Sequence, residues 1–374
     1  MTITTSFEDQ QQQRQSLAIG VDVGGTHILA VLANTEGQVQ PRHRAHRRLE
    51  AAQRSDTEGI ITTIAECIVE LIISIDKCQY DENNDMNIVG LGLAIPGNVD
   101  PHKGTTRYLP NFGWTEEVPL ADKLLNILRQ KLSKSSSMMG TNFLQALEKN
   151  GGGMIQMRND GRCAALAERH YGIGKQLDSK VFCMLTLGTG IGGAVCIGQD
   201  GVLLDGCSFD AGDFGHHVIC SGDEAFDCAC GKRGCFETHA SSAGLGRHYR
   251  RQLAIYGKTD EAKNVSLDDA KRIVDLMRAG DEVAIRAWNA FQADLISGLA
   301  NVVTFYNPEV ICLGGGIAQA KELFQVGDLS ISEAVDAKTL PATRGKCKVV
   351  PGTLGSDLVA LGATRLVFWS AKDD

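Results

Sequence analysis

Two α/β halves, each opening on three successive strands, are the fold class that this sequence predicts. Two observations carry the prediction. An apolar strand, a Gly-rich turn, a second strand, another turn and a third strand run from residue 17 to beyond residue 38, and the same series restarts at residue 181, about 165 residues later. Helical and buried-strand patterns follow each series, so both halves mix the two element types.

In order, residues 17–23 (LAIGVDV) read as a strand, Gly24-Gly25-Thr26 as a turn, residues 27–33 as a second strand, 34–37 as a turn, and a third strand starts at Gln38. Residues 56–77 carry Ile60, Ile64, Ile68, Leu71, Ile72 and Ile75 at helical spacing, and 88–95 form a buried strand ending at Pro96-Gly97. A loop takes in 111–114, a helix covers 120–132, and the Ser- and Gly-rich stretch 133–153 reads as a surface excursion without chemistry. A short strand at 154–158, a turn at Asn159-Asp160-Gly161 and a helix at 163–171 put Asp160 at a strand-to-helix corner. The second half runs through strand 181–187, the Gly-rich turn 188–193, strand 194–197 and the turn 199–201. A Cys-rich loop, helices within 241–301, a strand at 310–313, the triplet Gly314-Gly315-Gly316 and a terminal helix near 358–369 complete it.

Composition narrows the function classes. With 374 residues, 43% hydrophobic, 22% charged, and Gly 42 against Pro 8, the chain is globular and neither collagen-like, coiled-coil nor disordered. A net charge of -8 gives no global basic field for nucleic acid, so small molecules are the expected partners. The basic run Pro41 to Arg48 reads as a solvated strand or loop. The most apolar stretch, 67–75, is broken by Glu70, so no membrane span is expected. The Gln-rich N-terminus has no apolar signal region, which implies a loose tail, a cytoplasmic setting and reduced thiols for the twelve Cys.

Gly-rich hairpin turns suit phosphates, because backbone N–H groups approach the oxygens with no Cβ in the way. Two such turns at equivalent places point to a nucleotide, with Asp22 placed to hold a metal ion against its phosphates. Gly188, Gly190 and Gly193 match G-x-G-x-x-G, but a strand follows where a dinucleotide fold needs a helix, and the Gly257-Lys258-Thr259 match to a P-loop lacks its first Gly. Asp160 reads either as a helix cap or as a carboxylate that takes the proton of an attacking hydroxyl. Cys228, Cys230 and Cys235 crowd three thiols around Gly231 and Gly234, as a structural zinc site requires; the fourth ligand is His216, with His217 and His239 as alternatives.

DVGGTH (22–27), AIPGNVD (94–100), LPNFGW (109–114), ND (159–160), LGTGIGGAV (187–195), AGDFGHH (211–217), CACGKRGCFE (228–237) and GGG (314–316), in that order, resemble the ROK family of sugar kinases and repressors, and most of all its bacterial-type glucokinases. The Cys-rich signature is the specific part. The resemblance implies an actin-like ATPase (ribonuclease H-like) fold of two α/β domains with ATP and sugar in the cleft between them. It implies a tail at 1–15, a small domain of 16–158 plus 357–374, and a large domain of 159–356 carrying the zinc loop. Asp22, Gly24, Gly25, Thr26, Thr189 and Gly190 then surround the ATP phosphates and magnesium, and Gly314, Gly315 and Gly316 lie near adenosine. Asn111, Asn159, Asp160, Asp213, His216 and Glu237 match sugar-contacting positions, with Asp160 as the base for the 6-hydroxyl, and His216, Cys228, Cys230 and Cys235 match the zinc ligands. A homo-oligomer, dimer or tetramer, is implied as well. Two departures bear on the substrate: Asp213 stands where the family carries the longer Glu, and Gly161 and Arg162 replace the usual small and amide residues after the catalytic Asp.

The expected activity is ATP-dependent phosphorylation of a hexose at the 6-hydroxyl, glucose first, with N-acetylglucosamine, N-acetylmannosamine, mannose or fructose as alternatives. A sugar-sensing regulator of the same family is the other class. Such regulators carry an N-terminal helix-turn-helix, for which the sixteen residues before Leu17 are too few.

Overall fold

The computed structural model describes residues 16–49, 56–82, 86–109, 112–135, 137–148 and 155–370. The tail expected at 1–15 and the sugar-contact candidate Asn111 lie outside them. The described chain divides into two units, one of residues 16–167 with 354–370 and one of residues 168–353.

In the first unit β1 (Ser16–Val23), β2 (His27–Asn34) and β3 (Val39–Arg48) form an antiparallel meander. Strand β4 (Asn87–Ile95) pairs parallel to β1, a small hairpin of β5 (Asn98–Asp100) and β6 (Thr105–Tyr108) follows, and β7 (Ile155–Asn159) pairs parallel to β4. The sheet order is β3-β2-β1-β4-β7. Helix Thr57–Glu82 covers one face and buries Ile60, Ile64, Ile68, Leu71, Ile72 and Ile75, the residues at helical spacing in the sequence. Helix Leu358–Ser370 lies on the other face. It approaches so closely that a Cβ on Gly20 would sit 2.0 Å from the Ala360 carbonyl and one on Gly92 1.8 Å from that of Ala363, which only glycine permits.

Strand β3 holds the basic run as a solvated edge: Arg42, Arg44, His46 and Arg48 are exposed while His43 and Ala45 are buried. Charged edge strands resist pairing with other chains.

The second unit repeats the plan. Strands β8 (Val181–Leu187), β9 (Ile191–Ile197) and β10 (Val202–Leu203) form the meander, and β11 (Val310–Gly314) and β14 (Lys348–Pro351) add parallel to β8 in the order β10-β9-β8-β11-β14. A two-residue hairpin of β12 (Gln325–Val326) and β13 (Leu329–Ser330) intervenes. Helices Ser242–Ile255, Ala270–Arg278 and Glu282–Tyr306 supply the core with Leu245, Ile273, Trp288, Phe291 and Leu299. The same strand order and the same mix of pairings occur in both units, which is the duplication that the repeated series predicts.

Several local expectations change. The stretch 133–153 is not all loop, since helix Met138–Glu148 buries Met139, Phe143 and Leu147 in the core of the first unit. Its apolar residues recur every four positions, a signal that flanking Ser and Gly obscured. The hairpin of β5 and β6 was not anticipated. Helix Asp160–His170 begins at Asp160 itself, not three residues later. Gly192 and Gly193 belong to β9, where they pair with Thr186 and Leu185, and a Cβ at Gly193 would lie 2.5 Å from both the Met184 carbonyl and the Phe214 ring. The described cysteines are all free, and no described helix is long and apolar enough to cross a membrane.

Candidate functional site

In the first unit, parallel pairing of β1, β4 and β7 brings their C-terminal ends to one edge. Asp22 stands near the end of β1, opposite Leu29 and beside Ala94, and Asp160 follows the last residue of β7. Burial pushes the Asp22 carboxyl up to about 7, and the nearby charge of Asp160 adds to the rise. Asp160 is itself raised by burial, against the opposing effect of the Gly161 N–H, which donates to its Oδ1 at 2.8 Å. The capping oxygen of Asn159 takes the same N–H at 2.8 Å, and its amide donates to the Gly97 carbonyl at 3.1 Å. Asn159 therefore anchors the corner, so Asp160 is not needed as the only cap. Arg162 is buried.

The turn before β2 is closed by the Gly24 N–H donating to the His27 carbonyl at 2.9 Å, and a side chain added at Gly25 would meet nothing within 4 Å. The turn is thus open to solvent on the Gly25 side, next to Asp22.

The raised Asp22 pKa has a consequence for stability. Below about 3.8 the carboxyl is protonated in both folded and unfolded chains; as pH rises toward about 7 the unfolded chain ionises while the folded one resists, so stability is lost through that window. Asp22→Asn removes the loss. Between pH 5 and pH 8 the magnesium-free wild type is expected to lose roughly 1–3 kcal/mol more than the variant, each pKa unit being worth about 1.4 kcal/mol. Denaturant unfolding at the two pH values measures it, and equal slopes in both proteins would reject the account.

In the second unit the equivalent turn is Gly188-Thr189-Gly190, with the Gly188 N–H donating to the Gly190 carbonyl at 3.0 Å. Helix Ser242–Ile255 buttresses it: Ser241 Oγ donates to the Thr189 carbonyl at 2.8 Å, and the Ser242 N–H to that of Gly188 at 2.8 Å. Thr189 and Gly188 line a cavity of about 750 Å³ with Ser242, Lys271, Asp275 and Gly316 among its walls. Gly316 is the member of the triplet that lines it. Gly314 backs onto Met184, and Gly315, at φ +90, would drive a Cβ to 2.4 Å from the Leu187 carbonyl. The cavity wall formed by helix Ala270–Arg278 was missed, since a charged helix face reads in sequence as a solvated one.

The Cys-rich segment folds as a tight loop. The Gly231 N–H donates to the Cys228 carbonyl at 3.0 Å and the Cys228 N–H to that of Lys232 at 2.9 Å, while Gly234, at φ +74, lies where a Cβ would be 1.9 Å from the Cys220 carbonyl. The ligand atoms of His216, Cys228, Cys230 and Cys235 lie within 4.8 Å of one another. His216 Nδ1 is 3.6 Å from Cys228 Sγ, and Cys230 Sγ is 3.6 Å from Cys235 Sγ. A tetrahedral zinc with Zn–S bonds of about 2.3 Å spaces its sulfurs by about 3.7 Å, so the donors fit that metal. A backbone N–H from Lys232 lowers the Cys230 thiol to about 7, whereas burial raises the thiols of Cys228 and Cys235, so the fit to a metal rests on the spacing of the donors.

The two alternative histidines point elsewhere. His217 Nδ1 donates to the Phe214 carbonyl at 2.6 Å, and His239 Nδ1 donates to Asp294 at 2.8 Å. His239, His248 and Asp294 form a second cluster under the loop, which no sequence signal marked. Because His239 Nε2 accepts the Phe226 N–H at 3.3 Å, its ring is committed on both nitrogens and braces the loop.

Glu237 is the second residue of helix Phe236–Ala240, two positions after Cys235, and its Oε1 lies 3.6 Å from His216 Nδ1. On the far side of the His216 ring, Nε2 is 4.0 Å from Asp213 Oδ2. Asp213, His216 and Glu237 thus converge next to Gly190, where a Cβ would sit 2.5 Å from Glu237 Oε2.

The ROK family model matches residues 18–133 and 130–369. A glucokinase of Thermotoga maritima is 30% identical over 352 residues, covering 93% of this chain and 96% of that protein. A xylose repressor of Caldicellulosiruptor bescii is 25% identical over 352 residues, covering 93% of this chain and 77% of the repressor. Among solved structures, the ROK family glucokinase from Streptomyces griseus, in complex with glucose and AMPPNP, aligns with a TM-score of 0.64 at 25% identity over 94% of this chain and 98% of its own.

Proposed function

Because this chain belongs to the ROK family, with the two-domain actin-like ATPase fold and the activity of an ATP-dependent sugar kinase, we propose that it phosphorylates a hexose at the 6-hydroxyl and that the hexose is glucose. The observation that supports this most is the corner at Asp160, a carboxyl with raised pKa beside a second carboxyl and an open Gly-rich turn.

In this reading Asp160 accepts the proton as the sugar oxygen forms its bond to the γ-phosphorus, and the bond from that phosphorus to the bridging oxygen of ADP breaks. The turns at 24–26 and 188–190 offer N–H groups to the phosphates, and the cavity ending at Gly316 takes the nucleoside. Asp22 would hold the magnesium that accompanies ATP and offsets its charge. Asn159, Asp213, His216 and Glu237 orient the sugar, as Asn111 does in the same assignment. His216, Cys228, Cys230 and Cys235 would hold a structural zinc, which closes the loop. His216 then presents Nδ1 to the metal and leaves Nε2 for a sugar hydroxyl, so one ring links the two functions.

A coupled ATP/Mg²⁺ assay over glucose, mannose, fructose, N-acetylglucosamine and N-acetylmannosamine tests the assignment. The highest kcat/KM is expected for glucose, and a higher value for any other sugar reassigns the substrate.

Asp213 is half-exposed and one methylene short of the family's Glu, so its contact with a sugar hydroxyl runs through a water. Asp213→Glu is expected to lower the glucose KM by about fivefold, the equivalent of roughly 1 kcal/mol for one direct hydrogen bond, with little change in kcat. A raised KM would mean that the native Asp already bonds directly.

A further inference from the structure

The basic run on β3 has no part in the site described so far, yet strand register carries it there. Pairing puts Arg48 opposite His27 and His46 opposite Leu29, and Leu29 is in turn opposite Asp22. Side chains alternate across a strand, so Asp22, His27, His46 and Arg48 stand on one face of the sheet. The rings of His27 and His46 stack with centroids 5.7 Å apart and planes at 29°. His27 Nδ1 lies 3.2 Å from Thr26 Oγ1, within the Gly24-Gly25-Thr26 turn. All three cationic candidates are exposed.

The neighbouring arginines are committed to the fold. Arg44 on the same face pairs with Asp357, and Arg47 on the opposite face pairs with Glu70 at 2.8 Å. Arg48 has no ion-pair partner among the described residues. Edge protection alone calls for charges anywhere along β3. It does not call for two stacked histidines and a guanidinium without an ion-pair partner among the described residues at the end that adjoins the open turn.

We propose that His27, His46 and Arg48 form a phosphate subsite that extends the Gly24-Gly25-Thr26 turn and binds the phosphate chain of the phosphoryl donor. A guanidinium offers a planar fork that grips two phosphate oxygens, and the imidazoles supply further N–H donors. The chain is either the triphosphate of ATP or a longer inorganic one, both of which present the same oxygens. This rests on the kinase reading above, which places donor phosphates at that turn.

The test uses the full-length chain and inorganic tripolyphosphate as probe, titrated calorimetrically into wild type, Arg48→Gln, Arg48→Lys and His46→Gln, alongside ATP and sugar KM values. Arg48→Gln is expected to weaken tripolyphosphate binding by about fivefold or more, the scale of one charge-assisted pair, with His46→Gln weaker in effect and Arg48→Lys partly restored. The thermal midpoint stays at the wild-type value, so that a lost phosphate contact is separated from a lost fold. If the ATP KM rises in parallel, the triphosphate of ATP occupies the subsite; if only tripolyphosphate weakens, a longer inorganic chain does. Unchanged tripolyphosphate affinity in both Gln variants overturns the proposal. Should the wild type phosphorylate no sugar, the kinase reading fails by itself, and the calorimetric comparison still decides the subsite.

Discussion

Asp160→Asn is expected to lower kcat by roughly 10²- to 10⁴-fold, the range for removal of a general base, while the sugar KM stays within about threefold. The amide keeps the size of the side chain and can still accept the Gly161 N–H, so the start of helix Asp160–His170 is preserved. What it loses is the capacity to take a proton. The wild-type carboxylate is suited to that task because burial raises its pKa above the ordinary 3.8, which makes it a stronger base once ionised. For the same reason the acid limb of the wild-type kcat profile should lie above the usual aspartate range, and the variant should lack that limb. Removing the Asp160 charge also removes the smaller of the two effects that raise Asp22, so Asp22 should titrate at a lower pH in the variant. Single-turnover and steady-state rates with saturating sugar measure the first effect. A variant with kcat within tenfold of wild type would show that Asp160 is only a cap.

Cys230→Ser is the second large effect. The wild type is expected to carry about one zinc per chain and the variant far less, because structural zinc holds its ligands by about 10–16 kcal/mol in small domains and a serine hydroxyl is a poor replacement for a thiolate. The loss should not stop at the metal. His216 is both a ligand candidate and the neighbour of Asp213 and Glu237, and Glu237 sits in the first turn of the helix that starts right after Cys235. Freeing the loop therefore frees together the three groups that the proposed function assigns to the sugar, and the sugar KM is expected to rise by about tenfold to 100-fold, the usual scale when the support of a metal site is removed. His217→Ala is the matched control: that ring is tied to the Phe214 carbonyl at 2.6 Å and points away from the thiols, so metal content should be unchanged. Inductively coupled plasma mass spectrometry with sugar calorimetry gives both readings. Stoichiometrically metal-free wild type with full sugar affinity would overturn the zinc assignment.

The sequence by itself determined the local elements whose signal is periodic or covalently close. Ile60, Ile64, Ile68 and Ile75 needed only the 3.6-residue period to mark a buried helix face. Cys228, Cys230 and Cys235 are near enough along the chain that two glycines suffice to curl them together. Asp160 was recognisable at its corner because strand, turn and helix signals follow within a few residues. The repeated strand series revealed the duplication for the same reason. Where Ser and Gly surrounded a helical pattern, as at 138–148, composition misled and the buried face of Met139, Phe143 and Leu147 decided the matter.

Tertiary structure alone decided what depends on distant segments. Whether His216, His217 or His239 lies by the thiols is a question of side-chain direction, decided by the partner each ring finds in space. The closeness of Asp22 to Asp160 comes from parallel register across β1, β4 and β7, and with it the shift of Asp22 to about 7. The cavity wall on helix Ala270–Arg278 and the placement of Arg48 opposite His27, next to the Gly24-Gly25-Thr26 turn, are of the same kind. A charged face looks alike in sequence whether it meets water or a ligand, because the pattern records only that the face is not in the core, and packing determines what it meets.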